Sequence, residues 1–201
     1  MESKINYQLQ LDEIIRCLDG KKPRLLLHSC CAPCSSYCIE YLKDFFDITL
    51  FFYNPNISSA QEWEKRMGEL RRLVKEMCLD FDIVCPPYDP SEFLDKVKGF
   101  EHCSEGGDRC SICYALRLQK ACDFAEDNGF EYYCSTLSIS PHKNAQKLNS
   151  IGEALANGKN VKHLPNDFKK KGGYLRSIEL SKEYNLYRQD FCGCIYSQRS
   201  E

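Results

Sequence analysis

Arg24-Leu25-Leu26-Leu27-His28-Ser29-Cys30-Cys31-Ala32-Pro33-Cys34 is the stretch whose reading decides the fold. Arg24–His28 is an apolar run of strand length, and it passes directly into three cysteines. Helical spacing follows over Ser35–Lys43. Ile48–Tyr53 reads as a second buried strand, turned by Asn54-Pro55-Asn56. Over Ser59–Cys78 the residues Trp63, Met67, Leu70, Val74 and Met77 recur at helical spacing, and Phe81–Cys85 is a third strand closed by Pro86 and Pro87. Upstream, Tyr7–Leu18 is an amphipathic helix ended by Gly20-Lys21-Lys22-Pro23. Downstream come a short helix over Pro90–Val97, a longer one over Ser111–Asn128 capped by Gly129, a fourth strand over Glu131–Ser135 and a helix over Pro141–Ala156. A Lys-rich loop, a helix near Tyr174–Tyr184 and a cysteine-bearing tail complete the chain. Strands alternating with helices predict an α/β fold, a parallel sheet flanked by helices. With no internal repeat and no low-complexity linker, residues 1–201 read as one domain.

Composition narrows the compartment and the partners. Fourteen cysteines in 201 residues is high usage, but the chain is too long to be a small disulfide scaffold. Glu2, Lys4 and Asn6 interrupt any apolar run after Met1, so no secretory leader is expected. No apolar stretch approaches bilayer length, so no membrane partner is expected either. The expectation is a cytoplasmic protein, where thiols stay reduced and clustered cysteines mean metal or catalysis. The net charge is only −2. Between Pro141 and Arg176, however, Lys143, Lys147, Lys159, Lys162, Lys169, Lys170, Lys171 and Arg176 face only Glu153 and Asp167. Such a patch suits a phosphate backbone; the competing reading is a solvated helix face with a basic loop.

Seven of the fourteen cysteines fall into three tight groups: Cys30-Cys31-x-x-Cys34, Cys110-x-x-Cys113 and Cys192-Gly193-Cys194. Sulfurs two or three residues apart can face one centre, so each group is a metal or redox candidate. The first lies where a strand passes into a helix, at the carboxyl edge of a parallel sheet, where such folds build their sites. The helix N-terminus there favours thiolate. Cys110 and Cys113 open a helix in the same way. Structural zinc and iron–sulfur clusters both take four thiolates, but a zinc ribbon separates its pairs by about 15–20 residues, far fewer than here. Cys31-Ala32-Pro33-Cys34 also fits a thioredoxin-like dithiol, which would leave two groups idle. The order Cys31-x2-Cys34-x3-Cys38 is the reverse of a radical-SAM motif. Cys192-Gly193-Cys194 suits a redox-cycling dithiol or a metal chelate. Cys17, Cys38, Cys78, Cys85, Cys122 and Cys134 stand alone and are assigned to packing.

Five blocks then become recognisable in order: Leu27-His-Ser-Cys-Cys-Ala-Pro-Cys-Ser35, Phe52-Tyr-Asn-Pro-Asn-Ile57, Arg109-Cys-Ser-Ile-Cys-Tyr-Ala-Leu-Arg-Leu118, Thr136-Leu-Ser-Ile-Ser-Pro-His-Lys-Asn144 and Tyr187-Arg-Gln-Asp-Phe-Cys-Gly-Cys194. Together they resemble the QueH-type epoxyqueuosine reductase family over residues 24–198. The resemblance implies reduction of the epoxide of epoxyqueuosine, at the tRNA wobble position, to the alkene of queuosine. It implies a [4Fe-4S] cluster without cobalamin, and a nucleotide alpha-hydrolase-like (HUP-type) fold. His28-Ser29-Cys30-Cys31 stands where the ATP loop of tRNA-thiolating relatives would lie, so nucleotide activation is not expected. By position, Cys30, Cys31, Cys110 and Cys113 match the cluster ligands, and Cys192 and Cys194 the redox pair. Cys34 is left for a second metal, possible as a mononuclear iron, or for the substrate.

Epoxide-to-alkene reduction takes two electrons and two protons and releases water, whereas one cluster delivers electrons singly. The second iron or the Cys192/Cys194 dithiol would complete the pair, and a metal would polarise the epoxide oxygen. His28, His142, Asp108 or a metal-bound water is the expected acid, although His28 also reads as a satisfied structural residue. Lys143, Lys147, Lys162, Lys169, Lys170 and Lys171 are expected on tRNA phosphates, with Tyr53, Tyr133 or Tyr174 stacking on a splayed base. An electron donor is required. A thiol–disulfide oxidoreductase and a zinc-stabilised RNA-binding module are the two competing classes.

Overall fold

The computed structural model describes residues 5–197. Its centre is β1 (Arg24–His28), whose residues after Arg24 are all buried. β2 (Asp47–Phe51) pairs with one side of β1 and β4 (Tyr132–Ser135) with the other, both parallel, so that His28 lies level with Phe51 and Ser135. β3 (Ile83–Val84) and β5 (Lys162–His163) are the edges, giving a five-stranded parallel sheet in the order β3-β2-β1-β4-β5.

The two-residue period of a strand explains how β1 serves both faces. Leu25 and Leu27 point into a core with Ile39 and Leu42 of α2 (Ala32–Leu42) and Met67 and Leu70 of α3 (Ala60–Glu76). Leu26 points the other way, into a core with Tyr114, Leu118 and Ala121 of α5 (Asp108–Asp127) and Leu148 of α6 (Ala145–Ala156). All three leucines are fully buried, each worth roughly 1.5–3 kcal/mol relative to exposure. α1 (Tyr7–Cys17) adds Leu11 to the first core, α4 (Ser91–Lys96) covers the start of α5, and α7 (Gly173–Glu183) packs on α2.

The strand order reverses beside β1: the chain adds β2 and β3 on one side, then β4 and β5 on the other. The carboxyl ends of β1 and β4 therefore open onto a shared crevice, the switch point where such sheets hold ligands. The expected α/β architecture is present, and the differences are local. α2 begins at Ala32 rather than Ser35, because proline fits the first helical turn and Pro33 sits there. Cys34 is therefore inside the helix. α6 begins at Ala145 rather than Pro141, with Asn144 accepting from the Lys147 N–H as its cap at 3.1 Å. β5 lies in the segment expected to be a loop; two residues are too short to show a period.

Candidate metal centre and active-site cavity

The turn after β1 and the first turn of α2 bring Cys30, Cys31 and Cys34 together, their sulfurs all within 4.8 Å of one another. The Cys30 and Cys31 sulfurs are 3.7 Å apart. Thr136, just beyond β4, sets its hydroxyl 3.6 Å from the Cys30 sulfur. S–H donation from Cys31 and then Cys34 pulls Cys30 well below an ordinary thiol, with the Arg117 charge adding to it. The same sharing pushes Cys31 up to about 12 and Cys34 well above the usual thiol range, Cys30 being the first cause of each. The trio thus holds one thiolate readily, at Cys30.

α5 carries the second group. Cys110 accepts from the Gly106 N–H at 3.2 Å. Cys113, raised by burial, packs with Phe93, Val97 and Cys194. Among the described residues Cys110 and Cys113 do not enter the close trio; Cys34 does.

The third group lies on a strap, residues 185–197, whose only regular element is the short 3-10 turn Ile195–Ser197. Its placement comes from the β2–α3 loop and α3. Arg66 donates to the Cys192 carbonyl at 3.1 Å and to the Phe191 carbonyl at 3.3 Å. Asn56 adds a second donor to the Cys192 carbonyl at 3.3 Å, and the Ser58 N–H reaches the Gly193 carbonyl at 2.9 Å. Gly193 has φ +98°, and a Cβ there would meet Ile57 and Arg66 at 3.0 and 3.1 Å. Glycine is therefore required at this turn. Both strap thiols are free; Cys194 is buried and pushed up to about 11 by that burial.

A cavity of about 280 Å³ joins the first and third groups, with Cys30, Cys34 and Cys192 on its wall beside Arg117, Lys143 and Tyr174. The Lys143 ammonium is nearly buried, 3.9 Å from the Glu105 carboxylate. Burial opposes its charge, but Cys192 and Tyr114 outweigh that and its pKa is raised.

Several sequence expectations are redirected by these positions. His28 is fully buried: its Nε2–H donates to the Tyr53 carbonyl at 3.0 Å and its Nδ1 accepts from the Ser135 hydroxyl at 2.7 Å. Burial, then Arg117, pushes it down to about 3, so it is a neutral structural residue and not an acid. His142 is exposed on the cavity wall, while Asp108 is exposed at the start of α5 and off that wall. Tyr53 and Tyr133 are core residues, bonded to Glu92 and to the Gly152 carbonyl; only Tyr174 faces the cavity. Cys17 and Cys78 are exposed rather than packed, because Cys17 is the last residue of α1 and Cys78 lies past the end of α3.

The lysines separate. Lys143 faces the cavity. Lys169 binds Asp167 and two backbone carbonyls, and Lys171 binds Asp12. Among the described residues Lys147 reaches only the Ser111 hydroxyl, at 3.3 Å. Lys170 is exposed, and Lys162 is exposed on edge strand β5, level with the first residue of β4 and off the cavity wall. Sequence reading missed Arg66, Asn54, Asn56 and Arg117. The last had a signal: it lies one helical turn after Cys113, in a quoted motif.

A parallel α/β domain with thiols where phosphate-binding loops usually sit defines a thiolate centre on a nucleotide alpha-hydrolase-like scaffold. The donor set fits a metal cluster: three sulfurs meet, two of them on the cavity wall, beside a buried guanidinium that meets no carboxylate among the described residues. The family model described as epoxyqueuosine reductase QueH matches residues 25–200. Epoxyqueuosine reductase QueH of Streptococcus pyogenes serotype M1 is 40% identical over 204 residues, covering 98% of this chain and 80% of that protein. The enzyme of the same name from Staphylococcus epidermidis is 41% identical over 202 residues, covering 96% and 85%. The chain belongs to the QueH family. Among solved structures, the U34-tRNA thiolase NcsA from Methanococcus maripaludis with its [4Fe-4S] cluster shares the fold. Its TM-score is 0.56 at 14% identity, covering 95% of this chain and 68% of that one. No helix among the described residues is long and apolar enough to cross a membrane.

Proposed function

We propose that this protein is a cytoplasmic epoxyqueuosine reductase, converting the epoxide at the tRNA wobble position to the alkene of queuosine, the last step of queuosine biosynthesis. Family membership supports the reaction. The observation that carries the reading within the structure is the thiol trio opening on the cavity, with Cys192 on the same wall. Cys30, Cys31, Cys110 and Cys113 would hold a [4Fe-4S] cluster, leaving Cys34 to a second iron or to the substrate. When bound, such a cluster supplies electrons one at a time.

The chain's own residues supply the rest. Cys192 and Cys194, reduced, hold two electrons and two protons, the number the epoxide consumes on losing its oxygen as water. Lys143, which holds a proton at Nζ inside the cavity, would relay one of those two protons to the departing oxygen, a strap thiol returning it. Tyr174 offers an aromatic face to the base, and Lys147 and Lys170 leave ammonium groups for backbone phosphate. The electron donor restores the spent thiols.

Anaerobic purification with iron, sulfide and zinc analysis, followed by turnover of epoxyqueuosine-tRNA read from its nucleosides, tests this reading. About four irons and four sulfides per chain, with queuosine formed, are expected. Zinc without sulfide and no turnover would sink it and leave a zinc-stabilised RNA-binding module. A colourless, iron-free dithiol would leave a thiol–disulfide oxidoreductase.

A further inference from the structure

Among the described residues three arginines are almost wholly buried, and one of them has neither a carboxylate nor a set of backbone carbonyls to hold its charge. Arg66, 3% exposed, is paired with Glu62 at 2.6 Å. Arg109, 2% exposed, donates to the carbonyls of Phe100, Glu101 and Cys103. Arg117, 3% exposed, has neither arrangement. Its Nη2 donates to the Asn54 side-chain oxygen at 2.5 Å, its Nη1 lies 4.0 Å from the Cys113 sulfur, and its Nε has no partner. Among the described residues no carboxylate lies within ion-pair distance of it. Asn54 is fixed in turn by its donation to the Ser29 carbonyl at 3.0 Å.

A guanidinium cannot discharge itself by losing its proton, so burying one without an anion is strongly unfavourable. Beside Cys113, which Nη1 approaches, Cys30 and Cys192 share the cavity wall with Arg117, so the sulfurs about it come one from each cysteine cluster.

We propose that Arg117 is the buried counter-cation of the thiolate-bound centre and sets its reduction potential. This rests on the reading that the centre is an iron–sulfur cluster. Each electron added makes the centre one charge more negative, in a buried site where a fixed cation acts strongly. Arg117 therefore favours the reduced form. Asn54, bonded at both ends, aims the guanidinium while leaving its charge unspent. Arg117 is a positioning residue, acting through the thiolates rather than on the substrate.

The test is an EPR-monitored redox titration of the anaerobically purified full chain, with iron and sulfide content, on three variants. Arg117→Gln removes the charge. Arg117→Lys keeps it. Asn54→Asp leaves the guanidinium in place but gives it a carboxylate of its own. Arg117→Gln and Asn54→Asp are expected to shift the one-electron equilibrium at least tenfold toward the oxidised form, about 59 mV more negative. Arg117→Lys should stay near wild type. If Arg117→Gln holds no cluster, the other two variants decide. Unchanged potentials in Arg117→Gln and Asn54→Asp at wild-type iron content overturn the inference. So does Arg117→Lys shifting as far as Arg117→Gln, because charge would then not be the cause. A wild-type protein without iron and sulfide fails the cluster reading itself, and this inference with it.

Discussion

The two thiol-bearing walls of the cavity are held in different ways. Cys30, Cys31 and Cys34 sit at the end of the central strand, fixed by pairing on both sides of β1 and by the helix that starts at Ala32. Displacing them means opening the core. Cys192 and Cys194 sit on a strap with no strand and one 3-10 turn, held by Arg66, Asn56 and Ser58 gripping its carbonyls. Releasing the strap costs those hydrogen bonds and the burial of Leu186 and Cys194, but does not open the sheet. One wall belongs to the fold. The other is fastened to it.

The comparison breaks most sharply at the thiols themselves. Cys30→Ser is expected to lose most of the iron and with it turnover, whereas Cys194→Ser should keep the iron and lose turnover; metal analysis beside the tRNA assay separates them. Equal iron loss in both would mean that the strap also builds the metal centre.

Two glycines give the next largest effect. A Cβ at Gly173 would meet the Phe168 carbonyl at 2.0 Å and the Tyr37 ring at 2.3 Å, against the helix that carries Cys34. Backbone cannot yield cheaply, so Gly173→Ala should cost about 3 kcal/mol, or about 6–12 °C in Tm. Gly193→Ala strains the strap where it meets Ile57 and the flexible end of Arg66, and should lower Tm much less while impairing turnover. A comparable Tm loss at both positions would erase the distinction between the walls.

Arg66→Gln is a milder probe. It removes charged hydrogen bonds worth about 1.5–3 kcal/mol each. Amide exchange over residues 187–197 should therefore rise at least roughly tenfold while the β1 amides stay protected. Uniform acceleration would mean that Arg66 supports the fold, not the strap.

The smallest effect is acid sensitivity in the sheet. His163 on β5 is buried and pushed down to about 4. The unfolded chain takes up this proton near pH 6.5 and the folded one does not. Stability is therefore unaffected above pH 6.5 and falls as pH drops from there toward 4, by at most about 1.4 kcal/mol per unit. His163→Gln should flatten that limb relative to wild type when urea midpoints are compared at pH 7, 6 and 5.

What the sequence disclosed follows from what is local. Arg24–His28 was legible to the residue because a fully buried strand is a continuous apolar run. β5 was not, being two residues of an edge. The cysteine groups stood out by spacing alone. Arg66 and Arg117 did not, because an arginine inside a helix looks the same whether it faces water or carbonyls and thiols. The free charge of the basic stretch is overstated by sequence for a related reason: Lys171 is met by Asp12 and Arg176 by Glu40, acids far away in the chain. Local charge counting cannot see partners brought in by folding.

Apart from the Phe191 ring beneath the Arg66 guanidinium, the grip on the strap falls on main-chain carbonyls, which every residue carries, and so makes little demand on the strap's side chains. Asp190, which also lines the cavity and whose side chain makes no hydrogen bond among the described residues, is thus free to be rewritten without loosening the fastening. This gives the enzyme a modular wall: selection can retune what the cavity accepts while the thiol chemistry stays anchored.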